Sequence, residues 1–273
     1  MKSAESLEGT GLEVLDIQEE PAFALRRIHR HDAGTQIRAM ERLAQAFVET
    51  PADMLQELVN AAVDLCGAES AGISVQQVDP DGKIQYHWVA TAGRYAAFLD
   101  AMLPPYPSAC AVCIERGRPQ LFRVSKSFFD LMQVDAATVT DGLLIPWQVD
   151  ETHGTIWIMA HGREQAFDAE DCRLMQTLAN FAAMGVRQQR QQKLLMEQAS
   201  AAAAAAMAND LAHSINNPLQ SLTNLAYLAA DASGAIEPAV LASELVANLE
   251  RLSTLVRELL AVPVLAQKRS GSV

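Results

Sequence analysis

The chain has 273 residues, half of them apolar, with 21 Lys and Arg against 33 Asp and Glu and a formal charge of −12. That length holds one large domain or two smaller ones, and the charge disfavours general nucleic-acid binding, because an acidic surface repels a phosphate backbone. Four cysteines are too few for a disulfide scaffold, and no apolar run approaches the roughly 18 residues of a membrane span.

The N-terminus, Met1-Lys2-Ser3-Ala4-Glu5, is not a basic-then-apolar leader, so a cytoplasmic protein without membrane insertion is expected. Residues 1–35 read as a tail, with a short helical turn around Ala22–Ile28. The cluster Arg26-Arg27-Ile28-His29-Arg30-His31 suits a solvated basic turn better than a metal or anion site. From Gln36 the pattern turns helical: Ile37, Met40, Leu43, Ala44 and Phe47 recur at spacings of three and four. Thr50-Pro51 ends that run and offers an N-cap and a first helical position. A second helix follows, with Met54, Leu55, Leu58, Val59, Ala62 and Leu65, and Gly67 suits its C-cap.

The period then changes. Ala71 to Val78 reads as a strand, Asp79-Pro80-Asp81-Gly82 as a hairpin turn, and Ile84 to Ala90 as the returning strand. A second hairpin pairs Leu143–Val149 with Thr155–Ala160 across a turn at Asp150 to Gly154. Pro146 marks its strand as an edge or a bulge, since proline cannot donate to a ladder. Between the hairpins lie a helix near Tyr95–Met102, a helix near Ser108–Arg116 and a short strand at Pro119–Phe122. This order is not a regular βαβ series. It predicts an α+β fold, an antiparallel sheet with helices packed on it.

After Phe167 everything reads as helix. One run extends from Asp168 to about Asp231, with Leu174, Leu178, Phe181, Ala182 and Val186 on one face, and Ser233-Gly234 breaks it. The next helix, about Pro238 to Val262, carries Leu245, Leu249, Leu252, Val256 and Leu259, the alternating four-three spacing of a bundle seam.

The sharpest motif is Leu211-Ala212-His213-Ser214-Ile215-Asn216-Asn217-Pro218-Leu219. On a helix, His213 and Asn217 fall one turn apart on one face, with Leu211, Ile215 and Leu222 on the opposing seam. Pro218 removes the hydrogen bond to the Ser214 carbonyl and is expected to kink the helix. An imidazole is a competent nucleophile toward phosphorus and is well populated in its neutral form at pH 7. An amide one turn away can orient a water or a phosphoryl oxygen.

This motif resembles the H-box of bacterial sensor histidine kinases. The resemblance covers roughly 205–262 and implies an antiparallel helical hairpin that dimerises into a four-helix bundle. It further implies that His213 accepts phosphate and passes it to the receiver domain of a response regulator. Asn217 then takes the position associated with phosphatase action, and Pro218 that of the helix kink. Ser214 stands where the family usually has an acid that accepts a proton during autophosphorylation. No glycine-rich phosphate cradle occurs, and the sequence stops about ten residues past the second helix. The expectation is therefore phosphorylation of His213 in trans, with no autonomous kinase activity. A non-catalytic regulator that pairs with a partner histidine kinase, or a response-regulator phosphatase, is the alternative.

A second resemblance lies upstream. Leu-Leu-Ile-Pro-Trp, Gly-Thr-Ile-Trp-Ile-Met-Ala-His, Phe-Asp-Ala-Glu-Asp and Leu-Ala-Asn-Phe-Ala-Ala, within residues 143–186, resemble the end of a GAF domain. It spans about 36–190 and implies a six-stranded antiparallel sheet that senses a small molecule or chromophore, joined by a helical linker at 191–204 to the bundle and followed by a tail at 263–273. A small-molecule ligand of unknown identity is expected between the sheet and the short helices at 94–116. Trp88, Arg94, Tyr95, Phe98 and Cys113 are the candidates to touch it. Cys110-Ala111-Val112-Cys113 has the spacing of a redox pair or half a zinc site, but no second Cys/His pair matches it. Structural thiols, a redox pair, a metal and a covalent chromophore stay open, with structural thiols favoured and no metal site assigned. The expected whole is a homodimeric signalling protein.

Overall fold

The structure, a computed structural model, describes residues 7–28, 32–50, 52–230 and 237–269, the stretch 258–269 as backbone alone. His29, Arg30 and His31 of the basic cluster, Pro51 and the expected break at Ser233-Gly234 lie outside the described residues. The chain divides into two units, residues 1–192 and 193–273.

Among the described residues, seven strands and six helices build the first unit, the last helix continuing past its boundary. The strands are β1 (Leu12–Asp16), β2 (Ser70–Val78), β3 (Ile84–Gly93), β4 (Met102–Leu103), β5 (Gln120–Val124), β6 (Val139–Val149) and β7 (Thr152–Ala160). The helices are α1 (Pro21–Ala24), α2 (Ala33–Glu49), α3 (Met54–Cys66), α4 (Ala109–Arg116), α5 (Lys126–Met132) and α6 (Ala169–Ala230). All strands join one antiparallel sheet in the order β1-β5-β6-β7-β2-β3-β4.

Both faces of this sheet are covered, which explains why its strands read as near-continuous apolar runs rather than alternating ones. Along β6 and β7, Leu143, Ile145, Ile156 and Ile158 face one core with α2, α3 and α6. Leu144, Trp157 and Met159 face the other, with α4 and α5. Residues two apart share a face, so the two cores interleave along one strand.

The turns follow from local chemistry. Asp79 Oδ1 accepts the N–H groups of Asp81 and Lys83 at 3.0 and 2.8 Å, and Gly82 takes φ +79. This is the aspartate-led turn that the sequence signalled. The second hairpin is tighter than expected. Val149 pairs with Thr152, leaving only Asp150 and Glu151 in the turn, with Asp150 at φ 51. Pro146 sits in a strand with neighbours on both sides, yet β6 pairs with β5 only as far as Leu144. It therefore occupies a stretch that has outrun one neighbour, where a missing N–H costs nothing in the ladder.

Helix α6 begins with a reciprocal cap. Asp168 Oδ1 accepts the N–H groups of Glu170 and Asp171 at 2.7 and 3.2 Å, and Asp171 Oδ2 accepts the Asp168 N–H at 3.1 Å. Cys172, Met175, Leu178, Ala179, Ala182 and Val186 are buried beyond it. Leu174 and Phe181 pack at the margin of that face.

Residues 12–26, expected to be tail, are built into the domain. Strand β1 pairs with β5 along Leu12 to Asp16, Phe23 is 4% exposed in the core, and Asp16 pairs with Arg118. Arg26 reaches the buried Asp141 through both guanidinium nitrogens, at 2.7 and 3.1 Å, and also donates to the Phe167 carbonyl. Weak periodicity hid these five strand residues, because β1 lies at the sheet edge. The helix expected near Tyr95–Met102 shrinks to a single turn at Ala96–Phe98 before β4, and α5 appears where no helix was expected.

The second unit holds the remainder of α6 and helix α7 (Pro238–Arg269). Helix α6 runs through Pro218 without a break. Its half-buried positions include Leu211, Ile215, Leu222 and Leu225, and those of α7 include Leu241, Leu245, Leu252 and Leu255. No helix among the described residues is long and apolar enough to cross a membrane.

Candidate functional site

A cavity of about 170 Å³ lies on the α4/α5 side of the sheet. Its wall combines Trp88 from β3, Trp157 and Met159 from β7, Tyr95 and Phe98 from the loop after β3, Cys110 from α4, Phe128 and Phe129 from α5, and Leu12 from β1.

Trp88 reaches this face through a bulge. The β2–β3 register shifts between Ile73 and Ser74, so Ala90 opposes Ile73 while Trp88 opposes Ser74. The extra residue, Val89, turns the strand over. Ala90 and Ala92 then face the helices α3 and α6, and Tyr86 and Trp88 face the cavity side. Trp157 lies flat because its cross-strand partner is Gly72. A Cβ at Gly72 would stand 2.1 Å from the indole ring. The two indoles meet with centroids 4.7 Å apart.

Tyr95 is held from three sides. Its hydroxyl donates to the Ala137 carbonyl at 2.6 Å, its N–H donates to Ser70 Oγ at 3.2 Å, and its ring packs on His161 at 4.9 Å. The Thr138 carbonyl, 2.8 Å from His161 Nδ1, can only accept, so Nδ1 carries the proton. In the neutral ring, Nε2 then accepts the Ser70 hydroxyl at 2.7 Å. Burial pushes the Tyr95 phenol above its ordinary range and takes that of Tyr86 to about 12. Both therefore act as neutral donors or apolar surfaces.

Of the residues singled out from sequence, Trp88, Tyr95 and Phe98 line the cavity. Arg94 does not; it is exposed and faces Glu69 at 3.5 Å. Cys113 does not either. It lies one helical turn from Cys110 and donates to the carbonyls of Arg118 and Leu144, both at 3.6 Å. Cys110 is the thiol in the wall, 3.5 and 3.4 Å from the hydroxyls of Ser74 and Thr155. Burial raises both thiols, at Cys110 against the pull of those two hydroxyls. The four cysteines are free, and the described residues contain no cluster of three or more His, Cys, Asp or Glu placed to hold a metal ion.

Trp157, Cys110 and Phe128 were missed from sequence. A glycine opposite an aromatic across a predicted ladder could have flagged Trp157. Nothing in the pattern announced the short helix that supplies Phe128.

In the second unit His213 and Asn217 are both exposed, four residues apart on α6, while Pro218 is buried and Ser214 half-buried. The pair occupies one face, and the row of Leu211, Ile215 and Leu222 lies on another.

The model of the GAF domain matches residues 48–187, half of the chain, and the chain belongs to the GAF domain family. No curated protein matches it. Its fold is similar to the GAF domain of a phosphoenolpyruvate-protein phosphotransferase from Coxiella burnetii, at 16% identity and a TM-score of 0.47, over 60% of this chain and 99% of that one. It is also similar to the phycoerythrobilin-bound GAF domain of a cyanobacterial phytochrome, at 13% identity and a TM-score of 0.42, over 59% of this chain and 100% of that one. A third similar structure is the GAF domain of a Pseudomonas syringae pv. tomato protein described as a sensor histidine kinase, at 18% identity and a TM-score of 0.38, over 60% of this chain and 94% of that one.

Proposed function

We propose that this protein is a phosphorelay signal-transduction component. Its GAF domain receives a small-molecule signal, and a dimeric bundle of the second unit's helices presents His213 as the phosphoacceptor. The supporting observation is the exposed pair His213 and Asn217 on one face of α6, one turn apart. The neutral imidazole attacks phosphorus and displaces the donor's leaving group. Asn217 orients a phosphoryl oxygen or, in the reverse sense, a water against a receiver's acyl phosphate. Pro218 leaves the Ser214 carbonyl without its helical hydrogen bond beside the histidine.

Ser214 is a poor base, and the sequence holds no glycine-rich phosphate cradle. The donor is accordingly an active site outside the described residues. Helix α6 starts at the buried cap of the GAF domain and carries His213 on the same helix. A signal that shifts Met175 or Leu178 against the sheet would thus reach the histidine, and a coupling of about 1–3 kcal/mol suffices. The serine also favours a second reading, a regulator that pairs with a sensor histidine kinase without accepting phosphate.

Labelled ATP separates the two. With extract of the source cells and alkaline handling, wild-type protein should acquire acid-labile label and His213→Ala none. A wild-type protein that stays unlabelled would remove the phosphoacceptor reading and leave the regulator.

A further inference from the structure

Carbon dominates the wall of the cavity. Among the described residues, no Arg, Lys, His, Asp or Glu side chain contributes to it. Its polar side chains are spent within the protein. The Tyr95 hydroxyl donates to the Ala137 carbonyl, Ser108 Oγ takes the Ala111 N–H, and the Cys110 sulfur is met by the hydroxyls of Ser74 and Thr155. The indole N–H groups of Trp88 and Trp157 are buried behind the wall surface, out of reach of a molecule in the cavity. A carboxylate or phosphate placed there would be a buried charge without a partner, and a hydroxyl would give up water for no matching side chain. Both are unfavourable.

The mouth is apolar as well. Helix α5 and the loop after it contribute Met132, Val134 and Ala136 to the wall, and β4 contributes Met102 and Leu103. Met102 and Val134 also meet solvent, at 47% and 41% exposure. The hydrocarbon wall therefore continues to the surface instead of ending in a charged rim.

An empty cavity of this kind lowers stability, because the atoms around it have no neighbours on one side. Water gains little by entering, since it needs about two to four polar partners. An apolar occupant removes both penalties. An apolar cavity of ~150 Å³ holds one benzene ring, and this one is about 170 Å³, room for one ring and a short alkyl group. Trp88 lies tilted against Trp157, and Phe98 stands edge-on to Trp88. Such surfaces accept a flat ring, stacked or edge-on.

We propose that the cavity binds a neutral apolar molecule of about one ring, an alkylbenzene in class, and excludes charged and strongly polar molecules. This rests on the reading of the GAF domain as a small-molecule sensor and names its ligand class.

Titration calorimetry on the full chain at pH 8 tests it with toluene, phenol and benzoate, a single ring carrying in turn a methyl, a hydroxyl and a charge. Toluene should saturate one site per chain and bind roughly tenfold more tightly than phenol, which buries an unmatched hydroxyl, while benzoate gives no binding. Ala109→Leu fills the cavity from α4 and Ala136→Leu from the loop after α5, and each should abolish toluene binding. A thermal midpoint no lower than that of the wild type excludes a folding defect in either variant. Phenol or benzoate binding as tightly as toluene, absence of toluene binding, or wild-type toluene affinity in both filled variants would each overturn the proposal. Phosphate labelling of His213 in the same samples keeps the two readings apart. Absent toluene binding with intact labelling rejects the ligand class alone, and intact binding with no labelling rejects the phosphoacceptor alone.

Discussion

Leu58, Ile73 and Ile156 in the first unit are fully sequestered at 0% exposure, whereas Leu195 and Leu249 in the second stand 65% and 56% exposed. Both units use apolar residues at regular spacing, but only one has layers to bury them between. A sheet with helices on both faces makes its own core. Two helices with apolar rows at spacings of three and four leave part of each row facing water, and helices of that kind draw their stability from partners rather than from propensity. The first unit should therefore behave as an autonomous fold, and the second as one whose stability depends on association.

The largest effect that would sharpen this contrast is at Asp141. It is 1% exposed and holds the guanidinium of Arg26. Asp141→Ala leaves a buried charge without its partner and should cost about 3–5 kcal/mol in the first unit, read by chemical denaturation. A loss below about 1 kcal/mol would show that the N-terminal segment is not integral to that fold. Next is Gly154→Ala. The new Cβ would lie 2.2 Å from the Ser74 carbonyl oxygen and 2.1 Å from the Trp147 ring, so about 1–3 kcal/mol should be lost by overpacking. Gly82→Ala, with open space around it, serves as the comparison, its own cost arising from the positive φ alone.

Alkali should act on the first unit alone through its thiols. Burial raises Cys66, Cys110 and Cys113, and takes Cys172 to about 11, from an ordinary value of 9.0. An unfolded thiol loses its proton near pH 9 while the folded one keeps it, so the unfolded state binds fewer protons and stability falls as pH rises. The slope is at most about 1.4 kcal/mol per pH unit per thiol. For Cys172 the loss runs from about pH 9 to about 11. All four thiols lie before residue 193, and an equal alkaline loss of the far-UV signal from the second unit would break the contrast. The smallest effect belongs to His213→Ala. An exposed position away from any core should change stability by no more than about 0.5 kcal/mol, with unfolding of the second unit still dependent on protein concentration. Unfolding of that unit at one temperature over a hundredfold dilution would remove the need for a partner.

Much of this was legible from residues alone, for identifiable reasons. The hairpin at 79–82 announced itself through Asp79 and Gly82, whose turn chemistry is local. The apolar spacing of α3, and an order of helices and hairpins that is not a βαβ series, set the α+β class. The cavity was legible only in part. Trp88, Tyr95 and Phe98 were found because large aromatics cluster in β3 and the loop after it, but the bulge at Val89 that turns Trp88 inward leaves no periodic trace. Cys113 was chosen over Cys110 because spacing along a helix does not say which of two thiols faces the sheet hydroxyls. Strand β1 was invisible because five residues of edge strand, paired with a segment more than a hundred positions away, have no local signature.

That strand has a consequence for how this domain could be moved between proteins. The family boundaries begin at residue 48, yet Leu12 forms part of the cavity wall, Phe23 part of the core, and Arg26 the counter-charge of Asp141. A transplant trimmed to 48–187 would lose a wall, a plug and a cation together. The portable module starts no later than Leu12, and any protein fused ahead of it is joined within a few residues of the cavity wall.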